Sequence, residues 1–486
     1  MTADHPTGSP TGPQDREPVR ASHETILPDP DPSVLRELTK PVRGAEQRPT
    51  PRWVGWFLIL LPTLAGLGPL LGVGPVFAFR LAAVVLFITA AWDWHRYRDR
   101  SRTFVVVLGL LVAFQLSGVV ALLVSRPPLQ PALIELLAVG LMFAVPLALV
   151  QLYRTAETVL TVARGWLYLT GIVLAVNLWE VLSDDRLPNF YLKPQMRADP
   201  AWGQIAGPFH NPNQLASVLV MSSLVMAVGF SLEHDRRLRW AYLAVCLPIP
   251  LVVLKTGSTL GLGLVGVVTL VWLGMYRWGR LVGLPLAAVA VVVLPQGRAF
   301  LAALWGQYQN IWNPAPEHIY SSGDRLNLIL NGVVMLRRSW WLGVGPAGYP
   351  YVMSTQPMPY PTHGIINPHS GLIEIASQYG IGTFVLLVLV GAGLVKWSLE
   401  RLRRTRGTSL ASPQRVVALW ALVAVAILPV LSMMHSSWLN QSMSAMFTGT
   451  LVMWARHIER PLGRRVTTSE AALRNLPPAP PGKEQR

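Results

Sequence analysis

Residues 103–124 read TFVVVLGLLVAFQLSGVVALLV, without one charged side chain. A hydrocarbon core about 30 Å thick needs about 20 such residues in a helix. The same pattern recurs along the chain. Apolar blocks lie at 53–72, 76–92, 103–124, 131–150, 157–180, 213–231, 240–255, 258–276, 280–296, 371–396, 415–434 and 437–456. The expected fold is therefore all-α, a polytopic membrane bundle of about 12 transmembrane helices. Gly257 and Ser258 mark a tight turn or a break between the seventh and eighth blocks.

Composition supports this. Of 486 residues, 51% are hydrophobic and only 14% charged, with mean hydropathy +0.39. A soluble domain carries about 25% charged residues. The net charge of +16 could suggest nucleic acid, but the basic residues sit in short loops beside apolar blocks, where they set topology. No nucleic-acid partner is expected. Cys246 is the sole cysteine, which excludes an internal disulfide and a Cys metal cluster. Residues 1–50 are polar and Pro-rich, with no signal-peptide core, and read as a disordered cytoplasmic tail. Residues 460–486 read the same way, leaving 51–459 as the membrane domain.

Orientation follows from arginine. With the N-terminus inside, the cytoplasmic loops hold Arg96, Arg98, Arg100 and Arg102, then Arg236, Arg237 and Arg239, then Arg277 and Arg280, then Arg401, Arg403, Arg404 and Arg406, with Arg464 and Arg465 in the tail. An even span count places both termini in the cytoplasm of a bacterial inner membrane. Two external segments are too long for turns, 181–212 and 297–370. The second lies between helices 9 and 10 and carries Trp305, Trp312, Trp340, Trp341, Tyr349 and Tyr351, residues suited to an interface. Long loops in compact proteins are usually functional.

Within that loop, Asp324 to Arg338 has apolar residues at helical spacing, with Asp324 placed to cap the N-terminus. Gly343, Gly345, Pro346 and Gly348 follow and break the helix. The chemistry-bearing residues gather near this loop. His369 opens the tenth span and reads as a general base or as an inert interfacial histidine. Glu374 lies one turn further in, as an intramembrane functional group or a helix cap. Arg325 suits phosphate, or is simply solvated. Arg337 and Arg338 end the helix, where its dipole favours positive charge. Lys255 closes the seventh span, free to snorkel or to pair with a lipid phosphate. His210, Asn211 and Asn213 precede the sixth span, where they could hold a sugar or phosphate; Asn213 equally reads as an N-cap. The chain shows no Walker loop, dinucleotide glycine fingerprint or His/Glu zinc pair. With the polar residues gathered outside, an activated donor would arrive on a lipid.

Three stretches carry a resemblance. Gly207 to Ala216, Arg325 to Tyr349 with its Leu342-Gly343-Val344-Gly345-Pro346, and His369 to Gly380 with Leu372 and Glu374 are similar, in order and spacing, to the O-antigen ligase/polymerase family, which includes teichuronic-acid-type polymerases. The resemblance implies a bundle of the glycosyltransferase C type. It implies a metal-independent enzyme that moves a glycan from a polyprenyl diphosphate, such as undecaprenyl diphosphate, to a hydroxyl on a glycan, lipid or wall acceptor. It makes His369 and Arg325 catalytic, and Lys255, His210, Asn211, Asn213, Glu374, Arg337 and Arg338 substrate-binding. No cofactor is implied. Two departures stand out. Gly257-Ser258-Thr259 occupies the place of the family's Ser-Arg, which leaves Lys255 as the substitute cation, and Ser370 stands where Asn usually follows the histidine. The alternative reading is a transporter or flippase of the same lipid. Transporters favour internal repeats and midplane charges, and neither is evident here.

Overall fold

The computed structural model describes residues 51–183, 204–286, 321–405 and 412–460, apart from positions 69, 74, 75, 97, 277 and 278, with Leu187 and a few positions between 293 and 309. Both expected tails, Trp312, most of the ninth apolar block and most of the expected segment at 181–212 fall outside these residues.

The regular structure among the described residues is helical, including a π-helical stretch at Gly279–Gly283, except for one short ladder. In chain order the helices are α1 (Arg52–Gly66), α2 (Ala78–Arg96), α3 (Arg102–Ser125), α4 (Leu129–Leu152), α5 (Ala156–Ser183), α6 (Pro212–Leu232), α7 (Arg236–Cys246), α8 (Ile249–Lys255), α9 (Thr259–Met275), α10 (Ser321–Arg338), α11 (Gly348–Thr355), α12 (Gly371–Arg404), α13 (Pro413–Ser432) and α14 (Ser442–Glu459). A two-residue antiparallel pairing, Gly72 with Phe77 and Val73 with Val76, joins α1 to α2. Among the described residues, seven segments are long and apolar enough to cross a membrane: α3, α4, α5, α6, α7 with α8, α12 and α13. The helices α1 and α9 are shorter apolar ones. Seven of the twelve expected spans thus meet this length and composition among the described residues.

Burial sorts these helices. A helix apolar on all sides belongs in a core, and α6 is one, with 89% of its apolar window buried. By contrast α12 buries only 22% of its window, as a lipid-facing helix would. Around α6 the core is built on large side chains from distant segments, Trp166, Trp420, Trp454 and Phe447. Trp166 Nε1 donates to Thr450 Oγ1 at 3.2 Å, and its ring meets Phe447 edge-on.

The helix ends fall on two faces. On the arginine-rich face, ion pairs and caps tie the ends together. Glu459 accepts from the backbone N–H groups of Arg102 (2.7 Å) and Thr103 (3.2 Å), placing a carboxylate at the N-terminus of α3 where the dipole favours it. Arg456 pairs with Asp99 at 3.1 Å, Arg164 with Glu233 at 2.9 Å, and Arg154 with Asp93. Arg401 donates to the carbonyls of Ile458 and Arg460. The opposite face carries the starts of α6, α9, α10 and α12, and the candidate site.

Several local expectations change. The seventh block is two helices, interrupted at Leu247 and Pro248. Pro250, which lacks an N–H, follows in the first turn of α8. Thr256 to Ser258 forms a tight turn in which Gly257 takes φ 69° and a Cβ would stand 2.6 Å from Gln204 Nε2. Asn213 does not cap α6. Asn211 does, accepting from the Asn213 N–H at 2.7 Å.

Candidate active site

The loop helix α10 is held by its polar residues as well as its apolar ones. Leu328 and Met335 pack with Val344, Tyr349 and Val352 in a small core separate from the main one. Tyr349 donates its hydroxyl to the Leu328 carbonyl at 2.6 Å. Asn331 clamps Tyr360, donating to its carbonyl (2.8 Å) and accepting from its N–H (3.2 Å), and Asn327 donates to the Pro361 carbonyl. Asp324 lies within the helix rather than ahead of it, and pairs with His363 Nδ1 at 2.8 Å. That pairing, not an N-cap, is its role.

Behind α10 the chain runs beside an opening in α12. Gly380 takes φ 83° and ψ 167° inside that helix, a region essentially reserved for glycine. The break frees backbone groups that a continuous helix would use. The Ser377 carbonyl accepts from Val344 N–H at 2.7 Å, the Gln378 carbonyl from Gly345 N–H at 3.1 Å, and Ile381 N–H donates to the Trp341 carbonyl at 3.0 Å. A Cβ on Gly343 would stand 2.5 Å from the Gln378 carbonyl oxygen. Glycine at 343 and at 380 is therefore dictated by close backbone approach.

His369 sits just above this assembly, partly buried, with φ 45°. Non-glycine residues seldom adopt that angle, and such strain concentrates at functional sites. Its N–H reaches the Ser436 carbonyl at 3.4 Å. Burial, and then the positive charge of nearby Arg325, push its imidazole down to about 4. Arg325 is itself half-buried, which lowers its own affinity for a proton, and among the described residues it has no hydrogen-bonding or carboxylate partner. A neutral imidazole and an uncompensated guanidinium thus share one site.

Glu374 is bonded to the protein itself. It is 2% exposed, and its carboxylate accepts from the Ser437 hydroxyl, from Trp438 N–H at 2.7 Å and from Leu439 N–H at 3.4 Å. This ties the α13–α14 loop to α12, and the Ser436 carbonyl that meets His369 belongs to that loop. The same loop carries His435, 1% exposed. Its Nδ1 meets Gln441 Oε1 at 2.8 Å and its Nε2 meets Ser217 Oγ at 2.7 Å. Gln441 Oε1 also accepts from Gln214 at 2.7 Å, so the consistent tautomer carries the proton on Nδ1. Burial pushes His435 down to about 4, with a smaller contribution from His369.

The other sequence candidates divide. The stretch 207–217 joins the site through Gln214 and Ser217 rather than through Asn211 and Asn213, whose contact is the cap of α6. His210 is partly buried and its imidazole is lowered by that burial. Lys255 is exposed at the end of α8, beside the turn that leads into α9. The start of α9 packs on the site loops: a Cβ on Gly261 would meet Ala216 and Met434. Arg337 and Arg338 are exposed at the far end of α10, twelve and thirteen residues beyond Arg325, or about 18–20 Å along a helix. They do not join His369. Sequence reasoning missed His435 and Glu135. Glu135 is a buried carboxylate in α4 that accepts from Gln378 Nε2 at 3.0 Å and Tyr379 OH at 3.3 Å. Its signal was available, since an acid inside an apolar block is a functional flag by default.

Residues 241–388 match the family model described as O-antigen ligase. The matched stretch contains Lys255, Arg325, His369, Glu374 and Gly380, and excludes His210, Asn211, Asn213 and His435. No curated protein matches the chain.

Proposed function

Starting from an O-antigen ligase domain over residues 241–388, which supports a membrane glycan ligase or polymerase-type role, we propose that the chain is a glycosyltransferase acting at the outer face of the bacterial cytoplasmic membrane. The site face would be external and the arginine-rich face cytoplasmic, as positive-inside topology requires. The donor would be a glycan on a polyprenyl diphosphate and the acceptor a hydroxyl on a glycan, lipid or wall polymer. The full count of twelve spans, with both termini inside, belongs to this proposal.

The observation that carries it is that the charge of Arg325 reaches His369, while Arg325 has no carboxylate partner among the described residues. In the proposed step the acceptor oxygen attacks the anomeric carbon and its proton passes to His369. The bond from that carbon to the phosphate oxygen breaks, and the lipid diphosphate leaves with the electron pair. Arg325 would meet the charge growing on the diphosphate, where a preorganised donor is worth most. Lys255 would supply a second cation from the turn before α9. Burial keeps His369 neutral, and so able to accept a proton, at every physiological pH. The imidazolium formed during transfer would lie near the departing anion, which stabilises it. Fixed cations in this role need no metal in principle. Glu374 then acts as a positioning residue, holding the loop behind His369 instead of touching sugar. His210, Asn211 and Asn213 would border the glycan.

Deletion of the chain in its native cell, with analysis of surface glycan and of lipid-linked intermediates, tests the proposal. The expected result is loss of glycan attachment or length, with lipid-linked glycan accumulating on the outer leaflet. Accumulation on the inner leaflet would instead identify a transporter and overturn the reading.

A further inference from the structure

Trp340 and Trp341 follow α10 after Ser339, and both take left-handed backbone angles, φ 54° and 66°. Trp340 is 83% exposed, and Trp341 and Leu342 are also exposed. The turn that presents them is fixed at every step. Trp340 N–H donates to the Arg337 carbonyl (3.2 Å), Trp341 N–H to the Leu336 carbonyl (2.9 Å) and Leu342 N–H to the Ser339 carbonyl (3.0 Å). Gly343 N–H donates to Ser339 Oγ at 3.1 Å. Three large apolar side chains are therefore held outward by a rigid backbone.

The height of this turn follows from its bonds. The Gly343 carbonyl accepts from Ser125 Oγ at 2.9 Å, and Ser125 is the last residue of α3. In that last turn Leu123 is 68% exposed, and Val124 is exposed as well, as lipid-facing side chains of a membrane span are. On the other side, Trp341 is bonded to Ile381 of α12. The turn thus lies level with the end of α3 and beside the Gly380 break, beyond which α12 becomes exposed. Exposed Arg126, Arg337 and Arg338 surround it. Exposed indole rings with guanidinium groups at the end of a span match the headgroup region, where rings are half-solvated and cations meet lipid phosphate.

We infer that Trp340, Trp341 and Leu342 insert into the headgroup–acyl boundary of the leaflet on the site face, with Arg126, Arg337 and Arg338 pairing lipid phosphates. The turn is a lipid anchor for α10. A soluble protein partner fits less well, because the basic rim and the level of the turn both match the bilayer. The anchor also has a mechanical consequence. It fixes one end of α10 in the membrane plane, with Arg325 near the other end, and so sets the height of that guanidinium above the bilayer. None of this depends on the chemistry proposed above.

Site-directed spin labelling of the full chain tests it. Cys246 is the only native cysteine, so labels go on Trp340→Cys and Leu342→Cys in a Cys246→Ser background. The protein is reconstituted in nanodiscs of phosphatidylethanolamine and phosphatidylglycerol. Leu116→Cys, exposed midway along α3, is the lipid reference, and Arg100→Cys, between α2 and α3, is the aqueous one. Collision rates with oxygen and with a nickel chelate are compared. Labels at 340 and 342 should collide several-fold more with oxygen than with the chelate, approaching the value at 116. A ratio at 342 equal to that at 100 would overturn the inference. Leu342 has ordinary backbone angles, so its variant keeps the test decisive if replacing Trp340 disturbs the turn.

Discussion

Gly380→Ala isolates the feature on which the site's architecture rests. The native angles at this position are closed to alanine, and forcing them costs roughly 1–3 kcal/mol. A Cβ there would also stand 2.7 Å from the Leu342 carbonyl oxygen and 2.8 Å from that of Trp341. If the helix straightens to escape, three backbone hydrogen bonds to the 341–345 segment are lost, each worth about 1 kcal/mol net. The first route therefore costs about 1–3 kcal/mol before the clash is counted, and the second about 3 kcal/mol. The matched control is Gly382→Ala, two residues on, where a Cβ meets nothing within 4 Å. Alanine there should be neutral, or better than glycine by up to about 1 kcal/mol. Thermal unfolding of the two purified variants in one detergent, with limited proteolysis across 341–356, makes the comparison. Gly380→Ala should unfold well below Gly382→Ala and expose the loop to protease. Equal midpoints would refute the claim that the Gly380 opening holds the loop.

Other expectations follow from the same geometry. Cysteine labels at 100, 237 and 404 should be reached only from the cytoplasm and labels at 126 and 363 only from outside; cytoplasmic labelling at 363 would reverse the topology. Lys255→Arg should retain transfer while Lys255→Ala loses most of it, and unchanged transfer by the alanine variant would leave Lys255 as an interfacial lysine. The pH dependence carries a sign. His369 loses base function when protonated, so kcat/KM should fall only as pH drops through about 4. Arg325→Ala removes a repulsive charge, so its residual activity should fail at a higher pH than wild type. An acid limb that does not move upward would mean that Arg325 is not the neighbour of the base.

Much of the fold was legible because the bilayer imposes a simple rule: apolar blocks of the right length become helices. Eleven of the twelve apolar blocks coincide with described helices, and the turn at Gly257 was readable from its glycine. The loop helix ending at Arg338 was visible in its periodicity. What the chain did not reveal was tertiary. Asp324 resembled an N-cap because acids favour helix starts, yet its partner His363 lies 39 residues away. Glu374 resembled a ligand-binding group, but its three donors come from Ser437, Trp438 and Leu439, which the apolar pattern assigned to the twelfth span and which lie ahead of α14. His435 sits in the α13–α14 loop, and nothing local connects it to Ser217. Arg337 and Arg338 read as cations at a helix end, and they lie exposed in the last turn of α10.

The central claim is that His369 takes a proton from the acceptor while Arg325 meets the departing diphosphate. Purified wild type and the His369→Ala and Arg325→Ala variants, given a polyprenyl-diphosphate-linked glycan and acceptor and read on a gel, test it most directly, with donor binding measured in parallel. Loss of a general base costs about 10²–10⁴-fold in rate, so His369→Ala should nearly abolish turnover while binding donor normally. Loss of a preorganised donor to a developing anion costs on the order of 10²–10³-fold, and Arg325→Ala should weaken donor binding as well. Near-normal turnover by well-folded His369→Ala would contradict the account.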